Sequence, residues 1–119
     1  PENEGLPLPD WSQDIYPQPL TFLFNKYYKA ISGDSDTQIK YLQGELFQSI
    51  VEAMQAKINN SLQPDRRMYY YSGHDITILG LMNIMGLEGA VGPIIRTGST
   101  LIFELHNDPV KGDGFSFVK

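Results

Sequence analysis

The chain has 119 residues, of which 41% are hydrophobic and 19% charged, and its net charge is −5 at pH 7. This acidic balance argues against a nucleic-acid partner, because nucleic-acid binders need a basic surface. The absence of cysteine excludes disulfides, thiolate catalysis and cysteine metal sites. The sequence starts without methionine and stops within a strand-like stretch, so we expect residues 1–119 to form a single partial domain.

A proline-rich segment and a first helix come first along the chain. Five of the eight prolines lie within the first 19 residues, which predicts an extended segment. Asp10 is placed to cap one short turn at Trp11–Ile15. Apolar side chains then recur at helical spacing from Leu20 to Ile31, which predicts a helix with Gly33 just after its end.

A second, longer helix follows. Residues 34–36 offer helix caps, and an apolar stripe continues from Ile39 to Ile58. Gly44 interrupts this stripe, so we expect either a kink or a close packing contact there. The polar run Asn59-Asn60-Ser61 ends the helix.

The second half of the chain alternates strand and helix patterns. Arg67–Tyr71 is short, aromatic and bounded by turn residues, which predicts a strand. Ile76–Met85 is apolar on most sides and predicts a buried helix. Two more strands are predicted, at Thr100–Leu105 and from Phe115, joined as an antiparallel hairpin. This order predicts an α/β fold, and three strands are few for a complete sheet.

The turn Ser72-Gly73-His74-Asp75, between the predicted strand and the buried helix, is the candidate site. Ligands gather at the carboxyl ends of strands in open α/β sheets, and a helix N-terminus favours phosphate. Gly73 allows a close backbone approach, His74 can donate to an anionic oxygen, and Asp75 can transfer a proton. Asp75 is equally a good helix N-cap, so a capping role and a catalytic role both stand at this point.

Four stretches of the chain resemble the histidine acid phosphatases, the acid-phosphatase branch of the histidine phosphatase superfamily. Tyr71–Thr77 is similar to the C-terminal HD motif of the family. Leu8–Trp11, Leu42–Leu46 and Gly98–Leu105 resemble other family segments in the same order. The resemblance is greatest to the secreted invertebrate members called venom acid phosphatase-like.

This resemblance implies a three-layer α/β/α domain with a helical insert and a two-step phosphomonoesterase that needs no cofactor. Asp75 then corresponds to the general acid, and His74 to the histidine that binds the transferring phosphoryl group. The family's Arg-His-Gly-x-Arg nucleophile motif is not found in these residues, where His74 and His106 are the two histidines. We therefore expect the C-terminal third of a phosphatase domain, inactive on its own. The rival interpretation is a noncatalytic truncated product or a secreted binding module.

Three further expectations concern metal binding, secretion and assembly. A metal site formed by His74 and Asp75 with His106 and Asp108 is a weaker alternative, because such sites need well-placed ligands from several elements. Asn59 begins a glycosylation sequon, which together with the resemblance indicates a secreted or lysosomal glycoprotein. The resemblance also leaves open a homodimer of the full-length parent.

Overall fold

The computed structural model describes residues 4–87, 90, 94–108, 110 and 116–118, the last three by their backbone alone. A 3₁₀ turn at Asp10–Ser12 and a π-helical turn at Lys40–Gly44 accompany the regular elements. These elements are α1 (Leu20–Gly33), α2 (Asp36–Ile39), α3 (Glu45–Ile58), α4 (Asp75–Ile84), β1 (Leu105–Asn107) and β2 (Ser116–Val118). The described residues combine helices with one two-stranded antiparallel sheet, as in the expected α/β class, and they do not confirm the expected three layers. The helices in the described ranges fall short of a membrane span in length and hydrophobicity.

The first predicted helix is confirmed as α1, and it ends as the sequence indicates. Gly33 has a φ of 128°, a left-handed conformation that glycine adopts without strain. Its backbone also lies against Ile39, whose Cγ1 atom would be 2.4 Å from a Cβ added at Gly33. The turn before α1 differs from the expectation, because Asp10 lies within it and Pro9 holds the cap position.

The second predicted helix is divided into α2, the π-helical turn and α3. Ser35 caps α2, since its Oγ atom accepts the Gln38 N–H at 3.3 Å. The irregularity expected near Gly44 is a wider helical turn and not a close packing contact. A Cβ at Gly44 would meet only the Lys40 Cβ atom, at 3.9 Å.

Helix α4 is the centre of the described core. Leu79, Leu81 and Met82 are buried, as the apolar pattern predicts. The helix packs against α1 and against the π-helical turn. The Asn83 amide donates to the carbonyls of Ser32, at 3.4 Å, and Gly33, at 3.5 Å. This interaction ties the last turn of α4 to the last turn of α1.

The predicted strand at Arg67–Tyr71 does not pair within the described residues. The Tyr69 and Tyr71 rings stack with centroids 6.5 Å apart, as expected for side chains two residues apart on an extended chain. A strand nevertheless requires a neighbour for its backbone N–H and C=O groups, and this part of the chain supplies none. The expected local geometry is therefore present without a ladder of hydrogen bonds.

The hairpin is confirmed with a shift along the chain. Strand β1 covers Leu105–Asn107 and not Thr100–Leu105, and it pairs antiparallel with β2. The register matches Leu105 with Val118 and His106 with Phe117. The predicted start of the last strand at Phe115 lies outside the described residues.

Much apolar surface remains open around this small core. The accessible surface is 9536 Å², against about 6,500 Å² for a compact chain of this mass. The radius of gyration is 19.3 Å, against about 13.5 Å for a compact domain of this length. Large aromatic side chains are exposed, among them Trp11 at 72% and Tyr70 at 81%. The residues that precede α4 therefore lie on an open face.

Candidate active site

His74 holds the cap position immediately before α4, with φ −112° and ψ 168°. Its backbone N–H donates to the Thr77 Oγ1 atom at 3.4 Å, and its carbonyl accepts the Thr77 N–H at 3.0 Å. These contacts begin the helix through the backbone of His74 and leave its side chain exposed. The imidazole thus stands at the positive end of the helix dipole, where an anion is stabilised.

Asp75 is the first residue of α4 and is half-buried. Its Oδ1 atom accepts the Ile76 N–H at 2.8 Å, and its Oδ2 atom accepts the Tyr28 hydroxyl at 2.9 Å. The expectation that Asp75 is the N-cap is therefore wrong by one residue, because the extended backbone of the cap position belongs to His74. The carboxylate still binds a first-turn N–H and is held at both oxygens.

Tyr28 is the site residue that sequence reasoning missed. It belongs to the apolar stripe of α1, and its ring packs on Phe24 and Tyr27 with centroids 4.6 Å and 6.1 Å away. The hydrogen bond to Asp75, then partial burial and the charge of Asp75, raise the pKa of the Tyr28 hydroxyl above its ordinary value. The one signal in the sequence is that a tyrosine in an apolar stripe needs a partner for its hydroxyl.

Gly73 precedes the motif, and nothing within the described chain requires glycine there. A Cβ at Gly73 would come within 3.4 Å of Thr77 side-chain atoms, which is ordinary contact. The close backbone approach expected at Gly73 therefore concerns a ligand and stays a prediction.

The alternative metal site is not assembled in the described part of the chain. His106 lies in β1, and its Nε2 atom is 3.3 Å from the Glu104 Oε2 atom. No group of three or more histidine, aspartate or glutamate side chains in the described ranges is arranged to hold a metal ion. In these ranges His74 and Asp75 are therefore adjacent side chains without a third residue of this kind placed to complete a metal site.

Asn59, the predicted glycosylation residue, lies at the C-terminal cap of α3 and is exposed. Asn60 follows with a φ of 53°, so the chain turns away from the helix at this point. The Lys57 ammonium forms an ion pair with Asp65 across the same turn. A shallow pocket lies here, apart from the residues of the motif, and is lined by Lys57, Asn60, Leu62, Gln63 and Asp65.

Comparison with known proteins agrees with the family resemblance noted in the sequence. The family model for the histidine phosphatase superfamily (branch 2) matches residues 8–119. Venom acid phosphatase Acph-1 of Apis mellifera is 26% identical over 106 residues, which are 89% of this chain and 27% of that protein. The chain thus spans about a quarter of the length of this curated relative. No solved structure matches the chain. Since the family match covers residues 8–119, including α1, the turn at residues 72–75 and α4, the chain belongs to branch 2 of the histidine phosphatase superfamily.

Proposed function

We propose that these residues supply the acid half of the active site of an acid phosphatase that hydrolyses phosphomonoesters. The observation that carries this proposal is the pairing of His74 and Asp75 at the N-terminus of α4. One side chain is exposed at the positive end of the helix, and the other is half-buried with both carboxylate oxygens held. Membership of the superfamily and the similarity to a venom acid phosphatase support it.

In this proposal His74 binds the phosphoryl group and Asp75 acts as the general acid. His74 donates a hydrogen bond to a non-bridging oxygen of the phosphoryl group, aided by the helix dipole. Asp75 gives its proton to the leaving oxygen as the P–O bond breaks, so the bond pair leaves with a protonated alcohol. The phosphoryl group passes to a histidine nitrogen outside these residues, and the Asp75 carboxylate then accepts a proton from the water that releases phosphate.

We further propose that residues 1–119 are the C-terminal third of a three-layer α/β/α domain with a helical insert. The longer protein is called the parent protein below, and its remaining part would carry the nucleophile. Two observations support this arrangement. Among the described residues the segment Arg67–Tyr71 has no strand partner, and the accessible surface of the chain exceeds that of a compact chain of its mass. In this proposal residues 1–119 alone are inactive.

The location and partners of the parent protein follow from the same similarity. A venom protein is a secreted one, so we propose secretion, with a lysosomal location as the alternative within the secretory route. Exposed Asn59 is the proposed glycan acceptor. The proposed partner is a phosphomonoester substrate, and a homodimer of the parent protein is proposed as its assembly.

The experiment compares two substitutions on two ester classes in the parent protein. An alkyl phosphate has a poor leaving group that needs the proton, and a nitrophenyl phosphate has a good one that hardly does. Asp75→Asn keeps shape and a hydrogen-bonding oxygen but removes the proton, so it should reduce kcat/KM for the alkyl ester by roughly 10²–10⁴-fold. The nitrophenyl ester should lose much less.

His74→Ala is the matched control, because it removes a contact common to every substrate. It should reduce kcat/KM for both ester classes by similar factors, measured where phosphoenzyme formation is the observed step. Equal losses on both classes in Asp75→Asn would remove the general-acid role and leave Asp75 as a helix-end residue. No turnover by the unaltered parent protein would favour the noncatalytic rival.

A further inference from the structure

We propose that Tyr28 is a positioning residue for Asp75, an inference that rests on the proposed function of Asp75 as the general acid. Tyr28 lies on α1, 47 residues before Asp75 in the chain. Its hydroxyl donates to the Asp75 Oδ2 atom at 2.9 Å. A hydrogen bond of this length between separate helices sets where the carboxyl group lies, and not only how the helix begins.

The carboxyl group of Asp75 is held from two sides. The Ile76 N–H binds Oδ1 at 2.8 Å, and the Tyr28 hydroxyl binds Oδ2. The first contact comes from the next residue and allows the group to turn about it, whereas the second fixes the carboxyl plane. A general acid transfers its proton efficiently only from a defined position, so this second contact bears on the rate.

Tyr28 is itself fixed before substrate binds. Its ring packs on Phe24 at 4.6 Å and meets Tyr27 edge to face at 6.1 Å. At the far end of the helix pair, the Asn83 amide binds the last carbonyls of α1. The tyrosine hydroxyl is thus held by packed side chains and by the anchoring of α1 to α4, as a positioning group requires.

The contact also changes strength during the reaction. Asp75 becomes a carboxylate as its proton passes to the leaving oxygen, and a hydrogen bond to a charged acceptor is about twice as strong as a neutral one. The Tyr28 hydroxyl keeps its own proton throughout. Its benefit therefore grows with the extent of proton transfer, and it is largest for esters whose leaving oxygen needs the proton.

The kinetic test uses the parent protein with Tyr28→Phe, which keeps the ring and removes the hydroxyl. We expect kcat/KM for an alkyl phosphate to fall roughly 10-fold, the effect of one hydrogen bond to a charged group. The nitrophenyl phosphate should change little. In an Asp75→Asn background the same substitution should add almost no further loss, because the two residues act as one unit.

Tyr41→Phe is the matched control, since Tyr41 lies in the π-helical turn and its side chain is 88% exposed. It should leave both ester classes unchanged. Equal losses on both esters in Tyr28→Phe would mean a structural role and would overturn the inference. So would losses that add fully to those of Asp75→Asn.

A second readout does not depend on turnover. With tyrosine labelled at Cζ, the signal absent from Tyr28→Phe identifies Tyr28 among the tyrosine signals of the parent protein, and its titration is followed by NMR. The raised pKa of Tyr28 should fall toward its ordinary value in Asp75→Asn. An unchanged value would overturn the contact itself. A parent protein that turns over neither ester class, yet shows this fall, would reject the proposed function while leaving the Tyr28–Asp75 contact established.

Discussion

The backbone of Gly80 lies directly against the side chain of Gln43. A Cβ atom added at Gly80 would be 2.4 Å from the Gln43 Cγ atom, so α4 and the π-helical turn meet without room for a methyl group. Gly80 is buried beside Leu79 and Leu81, in the part of α4 that follows the His74–Asp75 pair. The start of α4 is thus held by a contact about one and a half turns further along the helix.

Gly80→Ala should destabilise the parent protein by about 1–3 kcal/mol, because overpacking outweighs the better helix propensity of alanine. The measurement is the free energy of unfolding by denaturant. Gln43→Ala provides the control, since it removes the Cγ atom. In that background Gly80→Ala should instead stabilise by about 0.5–1 kcal/mol.

Gly44 is the matched position without a close neighbour, and Gly44→Ala should stabilise by about 0.5–1 kcal/mol. A loss of stability in Gly44→Ala, or an unchanged loss for Gly80→Ala in the Gln43→Ala background, would contradict the packing described for these two glycines.

The Tyr28–Asp75 contact predicts a loss of stability in alkali. The folded-state pKa of Tyr28 is raised above the ordinary 10.0, so its contribution to stability is fully present below pH 10 and is lost as pH rises through the raised value. The difference in unfolding free energy between the wild type and Tyr28→Phe should therefore shrink above pH 10. A constant difference across this range would show that the hydroxyl has no carboxylate partner.

An ion pair at the end of α3 predicts a loss of stability in acid instead of in alkali. The hydrogen bond and charge of Lys57 lower the pKa of Asp65. The stabilisation by this pair is present above the ordinary carboxyl pKa and is lost as pH falls through the lowered value. In the parent protein Asp65→Asn should accordingly reduce the acid dependence of unfolding and leave the proposed phosphatase activity unchanged. An identical acid dependence in the variant would contradict the assignment.

Residues 1–119 expressed alone should hydrolyse no phosphomonoester and should unfold without a sharp transition. The small buried cluster around Leu79, Leu81 and Met82 leaves much apolar surface in water. Trp11, the single tryptophan, should emit like tryptophan in water, because it is 72% exposed. Turnover above a His74→Ala, Asp75→Ala control, or a cooperative thermal transition in a monomer, would count against this expectation.

Asn59 should carry a glycan in secreted parent protein. The side chain is exposed at a helix end, and Asn60 turns the chain outward, so a transferase can reach the sequon. Mass spectrometry of the tryptic peptides decides the question, with Ser61→Ala as the control that abolishes the sequon. An unmodified Asn59 in secreted material would reject the prediction.

Local patterns in the sequence located the first helix and the buried helix, but they missed the division of the second helix and placed the first hairpin strand too early. The apolar spacing from Leu20 and the continuous apolar run after Asp75 correspond to α1 and α4. Both depend on residues close in sequence, which is where periodicity is informative. The strand at Arg67–Tyr71 could not be settled in this way, because pairing depends on partners distant in the chain.

The site was predictable in part for the same reason. His74 and Asp75 stand out by type and by position before an apolar helix, and the structure places them there. Which of the two takes the cap position depends on backbone angles that side-chain type does not reveal. The apolar stripe around Tyr28 indicated only that its hydroxyl needs a partner, because which residue that is depends on how α1 packs against α4.

The contact between Tyr28 and Asp75 has a consequence for how relatives of this protein diverge. The hydroxyl at position 28 has this hydrogen-bond acceptor only when a carboxylate is present at position 75. If the hydroxyl is lost, the carboxylate loses the hydrogen bond to its Oδ2 atom. Substitutions at the two positions should therefore occur together, although the positions are 47 residues apart in the chain. In an alignment of many relatives, position 28 should vary with position 75 more closely than with its neighbour Tyr27.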